Sequence, residues 1–459
     1  MPSSEKTMFA NLINLGLFLF RNVLKHLNKS RTKRLKVISA IDIGKGWAGN
    51  TINTPIFRHH ALLTLDGFQY TAYYADKRTL RIIKRCLVTN TIASHDIVDD
   101  YNLYDAHNSI SLGYDRDKHL HITYDHHATK LKYRRSTQPC CIDSWELHRQ
   151  MTGKFEDMVT YPTFILPRNS FPLTFLFRDG SWDKGKARLK FFDETTGIWQ
   201  DQDSAILSGS DEKPWTCNAY WNHPAIGDDG SLHLSYVWRT HCIGDRGLIN
   251  NINVCYAKSS DNGKTWFTSR QREYKLPITP VNTEVVQAVS PATNLINQCG
   301  MAVDTKNNPH IVYYANDDFG IPQYQHLWFD GRAWHCQQLS DRTKPYDLQG
   351  GGTLKIPISR PDIVIDKADN VHVIFRGDIT SDRMAIMTLK HPNYEHASQS
   401  VYVIDEEMLG FTEPVIDRSR WQESEVLSIF IQHCDQPNHD QKHSEKTSSI
   451  RIIDLQLRD

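Results

Sequence analysis

Apolar and polar residues alternate in short runs from about residue 37 to the C-terminus, and turns rich in Gly, Asp and Asn separate these runs. Alternation with a period of two is typical of β-strands that bury one face. His119–Tyr124 (HLHITY) is a clear case, because its positions alternate between polar and apolar side chains. Since no long helical pattern interrupts the series, the sequence predicts an all-β fold.

One composite pattern recurs seven times: a lead-in segment, an apolar strand, a turn with Asp, Gly or Asn, and a second strand such as LHLSY. The copies are roughly 47 to 77 residues apart and start near His60, His107, Tyr161, His223, Gly300, Pro361 and Pro414. Strand-rich repeats of about 50 residues favour propeller blades. We therefore expect residues 37–459 to form one seven-bladed β-propeller domain.

The turns between strands carry a second repeated feature. Ser259–Trp266 (SSDNGKTW) matches the Asp-box turn S-x-D-x-G-x-T-W of propellers, and Phe329–Trp334 and Thr195–Trp199 are weaker versions. An Asp-box shapes a turn and carries no catalytic information, so it supports the fold prediction alone.

The N-terminal segment has a different pattern. Phe9–Phe20 (FANLINLGLFLF) is apolar, lies between Lys6 and a basic stretch, and is too short to cross a bilayer as a helix. No small-x-small cleavage site follows it. We interpret residues 1–36 as a targeting or surface-associating appendage, either an uncleaved signal anchor or an amphipathic helix. Any membrane association is expected through this segment only.

Charge and cysteine content limit the function classes. The chain has 53 basic and 53 acidic residues, which argues against a nucleic-acid surface made by bulk charge. Its nine cysteines are scattered and odd in number, so no disulfide framework is expected.

The first strand of each propeller blade lines the central channel, so the residues that lead into those strands crowd round one mouth. These positions are rich in His, Tyr, Arg and Asn: His59, His60, His107, Tyr161, Tyr220–His223, Asn297, Gln298, Arg360 and Glu413. A ring with few carboxylates favours an anionic ligand held by fork-like arginine contacts. His107 and His127 flank one strand and are able to share this mouth, where two imidazoles can act as base, acid or metal ligand.

Several short motifs carry a family resemblance: Asp105–Asn108 (DAHN), Tyr124–His127 (YDHH), Leu131–Ser136, Thr160–Pro162, Phe177–Gly180, Trp47–Asn50 and Gln69–Tyr74. From about residue 45 to about residue 435 the chain resembles the BNR-4 repeat family, which includes the propeller-type ulvan lyases. Relatives on this scaffold also include rhamnose-releasing enzymes, so the motifs are less specific for the substrate. The resemblance implies a polysaccharide lyase that cleaves a uronic-acid-containing, sulfated, ulvan-like polysaccharide by β-elimination.

The resemblance implies catalytic roles for four residues: His107, His127, Tyr161 and Arg178. Candidates for substrate contacts around them are Tyr220, His126, Arg239, Lys184 and His60. A sulfated substrate needs additional cationic contacts, and the candidates for them are Arg239, Lys184, Arg360 and Arg376.

The chemistry of a uronate lyase fits these residue types. Such an enzyme removes the C5 proton of a uronic acid and expels the C4 oxygen. Arg178 suits neutralisation of the carboxylate, because its guanidinium is always charged and can form two parallel hydrogen bonds. Histidine accepts a proton at neutral pH, so we expect His107 to be the base or its partner, with His127 orienting the uronate. We expect Tyr161 to protonate the leaving oxygen, or to be the base for the opposite C5 epimer.

Two other function classes stay open at this point. A glycoside hydrolase such as an exo-rhamnosidase typically needs a carboxylate pair, and the mouth offers Glu413 and scattered aspartates. A non-catalytic carbohydrate-binding propeller is the other alternative, because a fold alone does not determine a function.

The lyase scheme requires no cofactor. A structural zinc site from His223, His241, Cys242 and Cys255 is open because these are zinc ligand types, although their spacing matches no finger pattern; structural calcium is a second option. We expect a monomer whose partner is an anionic polysaccharide. A polymeric substrate favours a secreted, periplasmic or cell-surface location, and the missing cleavage site leaves a cytoplasmic one open.

Overall fold

The computed structural model describes residues 35–146, 150–209, 218–240, 250–395 and 401–457. Within these ranges the chain forms seven β-sheets arranged as the predicted seven-bladed β-propeller. The predicted N-terminal appendage lies outside the described residues up to position 34. The first strand, β1 (Leu35–Trp47), begins two residues before the predicted start of the propeller.

The first three blades follow each other along the chain. Blade 1 consists of β2 (Leu62–Leu65), β3 (Phe68–Asp76), β4 (Thr79–Cys86) and β5 (Ile92–Val98). Blade 2 consists of β6 (Ser111–Tyr114), β7 (Leu120–Thr123) and β9 (Tyr133–Arg135). The strand between β7 and β9 in the sequence, β8 (His127–Thr129), pairs with blade 3 instead. Blade 3 consists of β8 with β10 (Val159–Ile165), β11 (Thr174–Asp179), β12 (Lys186–Asp193), β13 (Ile198–Asp201) and β14 (Leu207–Ser208).

The remaining blades continue in the same order. Blade 4 consists of β15 (Ala219–Trp221), β16 (Ala225–Ile226), β17 (Leu232–Arg239), β18 (Asn251–Ser259) and β19 (Glu284–Gln287). Blade 5 consists of β20 (Met301–Val303), β21 (Pro309–Asn316), β22 (Pro322–Phe329) and β23 (Trp334–Gln338). Blade 6 consists of β24 (Asp362–Ile365), β25 (Val371–Arg376), β26 (Met384–Leu389) and β27 (Val401–Val403). Blade 7 consists of β28 (Val426–Gln432), β29 (Thr447–Leu457) and β1.

Among the described residues two short helices interrupt the strands, a 3₁₀ turn at Asp378–Thr380 and the helix α1 at Arg418–Ser424. Asp417 caps α1, because its side chain accepts a hydrogen bond from the Arg420 backbone N–H. In the part of the chain that the structure describes, no helix has the length and apolar character needed to cross a membrane.

The two ends of the described chain close the ring within blade 7. Strand β1 pairs antiparallel with β29, from Leu35 opposite Leu457 to Trp47 opposite Thr447. The buried Asp454 carboxylate on β29 ties this blade to blade 1, because it accepts hydrogen bonds from Arg85 at 2.7 Å and Arg420 at 2.6 Å. This closure was not predicted from the sequence pattern.

The predicted Asp-box at Ser259–Trp266 forms the turn after β18. Asp261 Oδ1 accepts hydrogen bonds from the Ser259 hydroxyl and the Thr265 backbone N–H, both at 2.9 Å, and the Trp266 indole donates to the Gly263 carbonyl at 2.8 Å. Trp266 is buried in the core, so the turn fastens the outer part of blade 4.

The innermost strands β2, β6, β10, β16, β20 and β24 contact their neighbours around the channel. Residues at the start of these strands and residues at their ends line two separate cavities. In blade 6, for example, Arg360 before β24 lines one cavity and Ile365 at the end of β24 lines the other. The channel therefore has two chemically distinct ends, called here the first cavity and the second cavity.

Candidate functional site

The first cavity has a volume of about 460 Å³ and lies where the innermost strands begin. Six of the predicted site residues line it: His107, His127, Tyr161, Arg178, Tyr220 and Arg239. They come from the loop that leads into blade 2 and from strands of blades 3 and 4, so the propeller brings together side chains that are far apart in sequence.

Two stacked imidazoles form one wall of the first cavity. The rings of His107 and His127 are 4.2 Å apart at their centroids and 23° from parallel. His107 Nδ1 lies 2.6 Å from Asp105 Oδ1, and His127 Nδ1 lies 2.5 Å from Asp105 Oδ2. One carboxylate therefore fixes both rings through the same type of nitrogen.

The Asp105 carboxylate is ionised in this setting. Burial raises its pKa, but the imidazoles of His107 and His127 outweigh this effect and hold the pKa well below its usual range. Asp105 was part of a quoted sequence motif, but its role was not predicted, because the contact with His127 spans 22 positions.

Tyr161 faces the imidazoles from a strained position on β10. Its backbone has φ 52°, in the left-handed region that non-glycine residues rarely adopt, at an irregularity in the pairing of β10 with β11. The ring packs 5.8 Å from His107 and 5.3 Å from Phe57, measured between centroids. Burial is the main reason that the pKa of the Tyr161 phenol is raised, so this hydroxyl keeps its proton at neutral pH.

Arg178 on β11 is a buried cation in the first cavity, and part of its guanidinium has no hydrogen-bond partner. The residue is 2% exposed, and its Nε and Nη1 atoms are buried without a hydrogen-bond partner. The guanidinium carbon lies 4.9 Å from the Tyr161 ring centroid and 5.8 Å from that of Tyr220. Because buried cations are normally paired, this arrangement indicates a site for an anionic group.

A second arginine, Arg239, also lies against the Tyr220 ring. The Arg239 guanidinium carbon lies 4.7 Å from the Tyr220 ring centroid, and its Nε donates to Asn251 at 2.8 Å. Burial raises the pKa of Tyr220, but Arg239 and Arg178 outweigh burial and lower it. The two phenols of the cavity therefore differ, since Tyr161 holds its proton more firmly than Tyr220 does.

Arg360 also lines the first cavity, but its charge is already neutralised. Its Nε donates to Glu413 Oε1 at 2.8 Å, and its Nη2 contacts Glu413 Oε2. Glu413 additionally accepts a hydrogen bond from the Ile56 backbone N–H at 3.0 Å. Arg360 is thus an ion-pair partner within the wall, and the idea that it binds sulfate is not supported by this geometry.

The open side of the first cavity is bordered by loops that were not predicted as part of the site. Gly350–Gly352 and Thr353 line it, and the Thr353 hydroxyl lies 3.3 Å from His107 Nδ1. Asp440 holds this loop by accepting the Thr353 backbone N–H at 3.0 Å. Trp182, which is 61% exposed, borders the cavity and offers a flat apolar surface.

Three residues predicted to contact substrate do not line the first cavity, and these placements correct the prediction. His126 is buried in the hairpin, where Nδ1 lies 3.1 Å from Thr129 Oγ1 and Nε2 accepts the Lys132 backbone N–H at 3.1 Å. Lys184 is exposed outside the cavity. His60 lines the second cavity.

Arg376, which was considered for sulfate binding, is equally absent from the first cavity. It is 1% exposed, and its guanidinium bonds the Thr412 carbonyl at 2.9 Å and Asp382 at 3.1 Å. It is a structural residue that joins blades 6 and 7.

The predicted zinc set is only partly within the described residues, because His241 and Cys242 lie outside them. His223 uses both ring nitrogens, towards the Ile56 carbonyl at 2.5 Å and Arg418 at 2.6 Å. Burial raises the pKa of the Cys255 thiol to about 12. Over the described ranges, the one group with three convergent metal-ligand atoms is Asp105, His107 and His127, whose hydrogen bonds already satisfy one another.

The fold and the cavity define a seven-bladed β-propeller with histidines, tyrosines and an unpaired arginine at one end of its channel. The sequence profile described as "BNR repeat-containing family member" matches residues 68–342, which is more than half of the chain. The chain belongs to this family. No curated protein matches the sequence at a significant level.

Two solved structures show the same fold. The crystal structure of polysaccharide lyase Uly1 has a TM-score of 0.70 at 13% identity, covering 92% of this chain and 100% of that chain. A PL25 ulvan lyase bound to -[GlcA(1-4)Rha3S]- has a TM-score of 0.62 at 15% identity, covering 83% of this chain and 93% of that chain. At these identities the likeness establishes the propeller architecture.

Proposed function

We propose that this protein is a polysaccharide lyase that cleaves a uronic-acid-containing polysaccharide by β-elimination in the first cavity. The observation that carries the proposal is the buried Arg178 guanidinium, which has unpartnered Nε and Nη1 atoms in the cavity that also holds two imidazoles and two phenols. A carboxylate is the planar anion that fits a guanidinium best.

Arg178 neutralises the uronate carboxylate. The C5 proton is weakly acidic while the neighbouring carboxylate keeps its full charge, because the electrons released at C5 must be delocalised into that group. A preorganised guanidinium in a buried site stabilises the charge that develops there without any reorganisation. Its position beside the Tyr161 and Tyr220 rings orients the sugar towards the imidazole wall.

His107 accepts the C5 proton. Its Nδ1–H donates to Asp105, which leaves Nε2 as the proton acceptor, and the ionised carboxylate stabilises the imidazolium that forms. His127 is held through Nδ1 by the same carboxylate and contacts the uronate. Because one carboxylate supports both rings, the two histidines act as one unit.

Tyr161 donates a proton to the C4 oxygen as the C4–O bond breaks. Its phenol is buried and its pKa is raised, so the proton is present at neutral pH and is transferred to the strongly basic leaving oxygen. The C5–H electron pair forms the C4–C5 double bond, and no water is consumed.

The substrate class is a uronate polymer with further negative charge. Arg239 places a second cation near Arg178. The PL25 ulvan lyase with the same fold was solved with a sulfated uronate–rhamnose polymer. We propose a sulfated polymer of this class as the first substrate to test.

The test is incubation of the full chain with a panel of sulfated and unsulfated uronate polymers. β-Elimination leaves an unsaturated uronate at the new non-reducing end, which is followed by ultraviolet absorbance. New reducing ends without that chromophore identify hydrolysis and overturn the lyase assignment. Binding without cleavage of any polymer identifies a non-catalytic propeller.

A further inference from the structure

The second cavity lies at the opposite end of the channel and has a volume of about 300 Å³. It is bounded by the ends of the innermost strands, including Ile165 on β10 and Ile365 on β24, and by residues of α1. None of the residues assigned above to β-elimination lines it.

Two adjacent histidines line this cavity, and their imidazole rings have no hydrogen-bond partner in the described part of the chain. His59 and His60 are 2% and 9% exposed, and their ring centroids are 4.0 Å apart. Both Nδ1 atoms are buried and unpartnered, and neither ring makes a hydrogen bond within the described ranges. Because buried polar groups are normally satisfied, two such rings side by side indicate that a polar ligand completes the site.

A hydroxyl adds to this unsatisfied set. Ser419, at the start of α1, is 5% exposed, lines the cavity and has an unpartnered, buried Oγ. The hydroxyl and the two imidazoles each offer a donor and an acceptor without carrying a net charge when the imidazoles are neutral. Burial is the main reason that the pKa values of His59 and His60 lie well below their usual range, so both rings are neutral at neutral pH.

The lining of this cavity carries charges of both signs, and its two arginines, Arg168 and Arg418, are each paired with an aspartate. The Arg418 guanidinium contacts the Asp362 carboxylate and donates to the Ile363 carbonyl at 3.1 Å, so its charge is already paired. Elsewhere in the described ranges only the Asp105 group offers three convergent metal-ligand atoms, so His59 and His60 do not belong to a metal site of that kind. The unsatisfied groups therefore favour a neutral ligand.

Apolar residues supply the rest of the wall. Trp421 on α1 and Ile365 line the same cavity as the two histidines. A sugar ring combines hydroxyls that both donate and accept with C–H faces that pack on apolar surfaces. We propose that the second cavity is a binding site for a neutral sugar residue, recognised by His59, His60 and Ser419.

This inference does not rest on the proposed lyase activity. The test uses ligand-observed NMR and calorimetry on the full chain, with methyl glycosides of neutral hexoses and deoxyhexoses as probes. Glucuronate and inorganic sulfate are the anionic probes. We expect binding of at least one neutral glycoside, and binding of that glycoside is expected to persist in Arg178→Ala, which alters the first cavity alone.

Two variants locate the binding. His60→Asn retains a residue type that tolerates the positive φ of this position, and Ser419→Ala removes only the unpartnered hydroxyl. We expect affinity for the glycoside to fall about tenfold in His60→Asn and a few-fold in Ser419→Ala, with melting temperature as the folding control. If His60→Asn does not fold, Ser419→Ala decides the matter.

Three results overturn the proposal. They are binding of anionic probes alone, unchanged affinity in the folded variants, and binding of no probe by the wild type. Loss of glycoside binding in Arg178→Ala would place the ligand in the first cavity and would equally refute a separate site.

Discussion

The two ends of the channel both present a pair of histidines, and the pairs differ in what supports them. His107 and His127 share the ionised Asp105 carboxylate through their Nδ1 atoms. The imidazole rings of His59 and His60 have no hydrogen-bond partner within the described ranges, and burial keeps them neutral. The two pairs show that the surroundings of an imidazole decide whether it can hold a second proton. A neighbouring carboxylate stabilises the protonated ring, whereas burial without a carboxylate destabilises it.

The largest effect is expected from removing the unpaired cation of the first cavity. Arg178→Ala is expected to reduce turnover about 100- to 1000-fold, since the loss of one preorganised charge contact costs roughly 3–4 kcal/mol. Initial rates on a uronate polymer that the wild type cleaves provide the measurement. Arg332→Ala, which removes an exposed arginine on a turn far from the cavity, is the matched control and should retain the wild-type rate. An equal loss in both variants contradicts the assignment of Arg178.

A similar loss is expected from either member of the proton-transfer pair. His107→Ala and Tyr161→Phe should each reduce turnover about 100-fold or more, because general acid–base catalysis contributes at this level. The double variant should be little slower than either single variant, since the two groups act in one step. Rates of all three proteins, with melting temperatures, test this. Fully additive losses would show that the two residues act independently.

Replacing the shared carboxylate should reduce turnover somewhat less than these variants do. It also removes the charge that distinguishes the histidine pair of the first cavity from that of the second. Asp105→Asn keeps the size of the side chain but cannot carry the charge, and turnover is expected to fall about 10- to 100-fold. Unchanged activity would show that the two imidazoles do not need a carboxylate.

Stability gives a second readout on the same variant. The pKa of Asp105 is lowered in the folded protein, so its ionised form stabilises the fold above its ordinary pKa, and this contribution is lost as pH falls towards the folded value. Denaturant unfolding should therefore show a gap between wild type and Asp105→Asn that is constant above about pH 5 and shrinks below about pH 4. A gap that stays constant down to acidic pH contradicts the ionised state.

The smallest expected effect is a change in the pH dependence of stability, and it comes from the buried, neutral rings of His59 and His60. The pKa values of His59 and His60 are lowered, so the unfolded chain binds protons more readily and stability falls as pH drops through about 6.5. His60→Asn should lose less unfolding free energy between pH 7 and pH 5 than the wild type does. Identical pH profiles for the two proteins would show that His60 is not buried in its neutral form.

The fold was accessible from the sequence because each blade repeats a local signal. An apolar strand, a polar turn and a second alternating strand recur in each copy, and such signals depend only on neighbouring residues. The pairing of β1 with β29 was not accessible, since its partners lie at opposite ends of the chain; Ser39 and Asp454 are 415 positions apart. Nothing local in Leu35–Trp47 indicates which blade it joins.

The sequence predicted several side chains of the candidate site that precede innermost strands. It was less informative about the residues that neutralise their charge and about which cavity each side chain lines. Arg360 was a candidate cation for a sulfated substrate, but Glu413, 53 positions away, neutralises its charge. His60 was placed at the first mouth because it precedes β2, but together with His59 it lines the second cavity. Sequence spacing does not determine to which end of the channel such a loop residue turns.

The closure of blade 7 has a consequence for how the protein is made. β1 leaves the ribosome long before β29 does, so it stays without this partner strand until the six blades between them have been synthesised. During this interval the backbone donors and acceptors of β1 that later pair with β29 have no strand beside them, and exposed strand edges of this kind readily pair with other chains. Arg85 and Arg420 likewise wait for Asp454. Completion of the ring therefore follows the synthesis of the other six blades, and a chain that stops before residue 447 remains open at one seam.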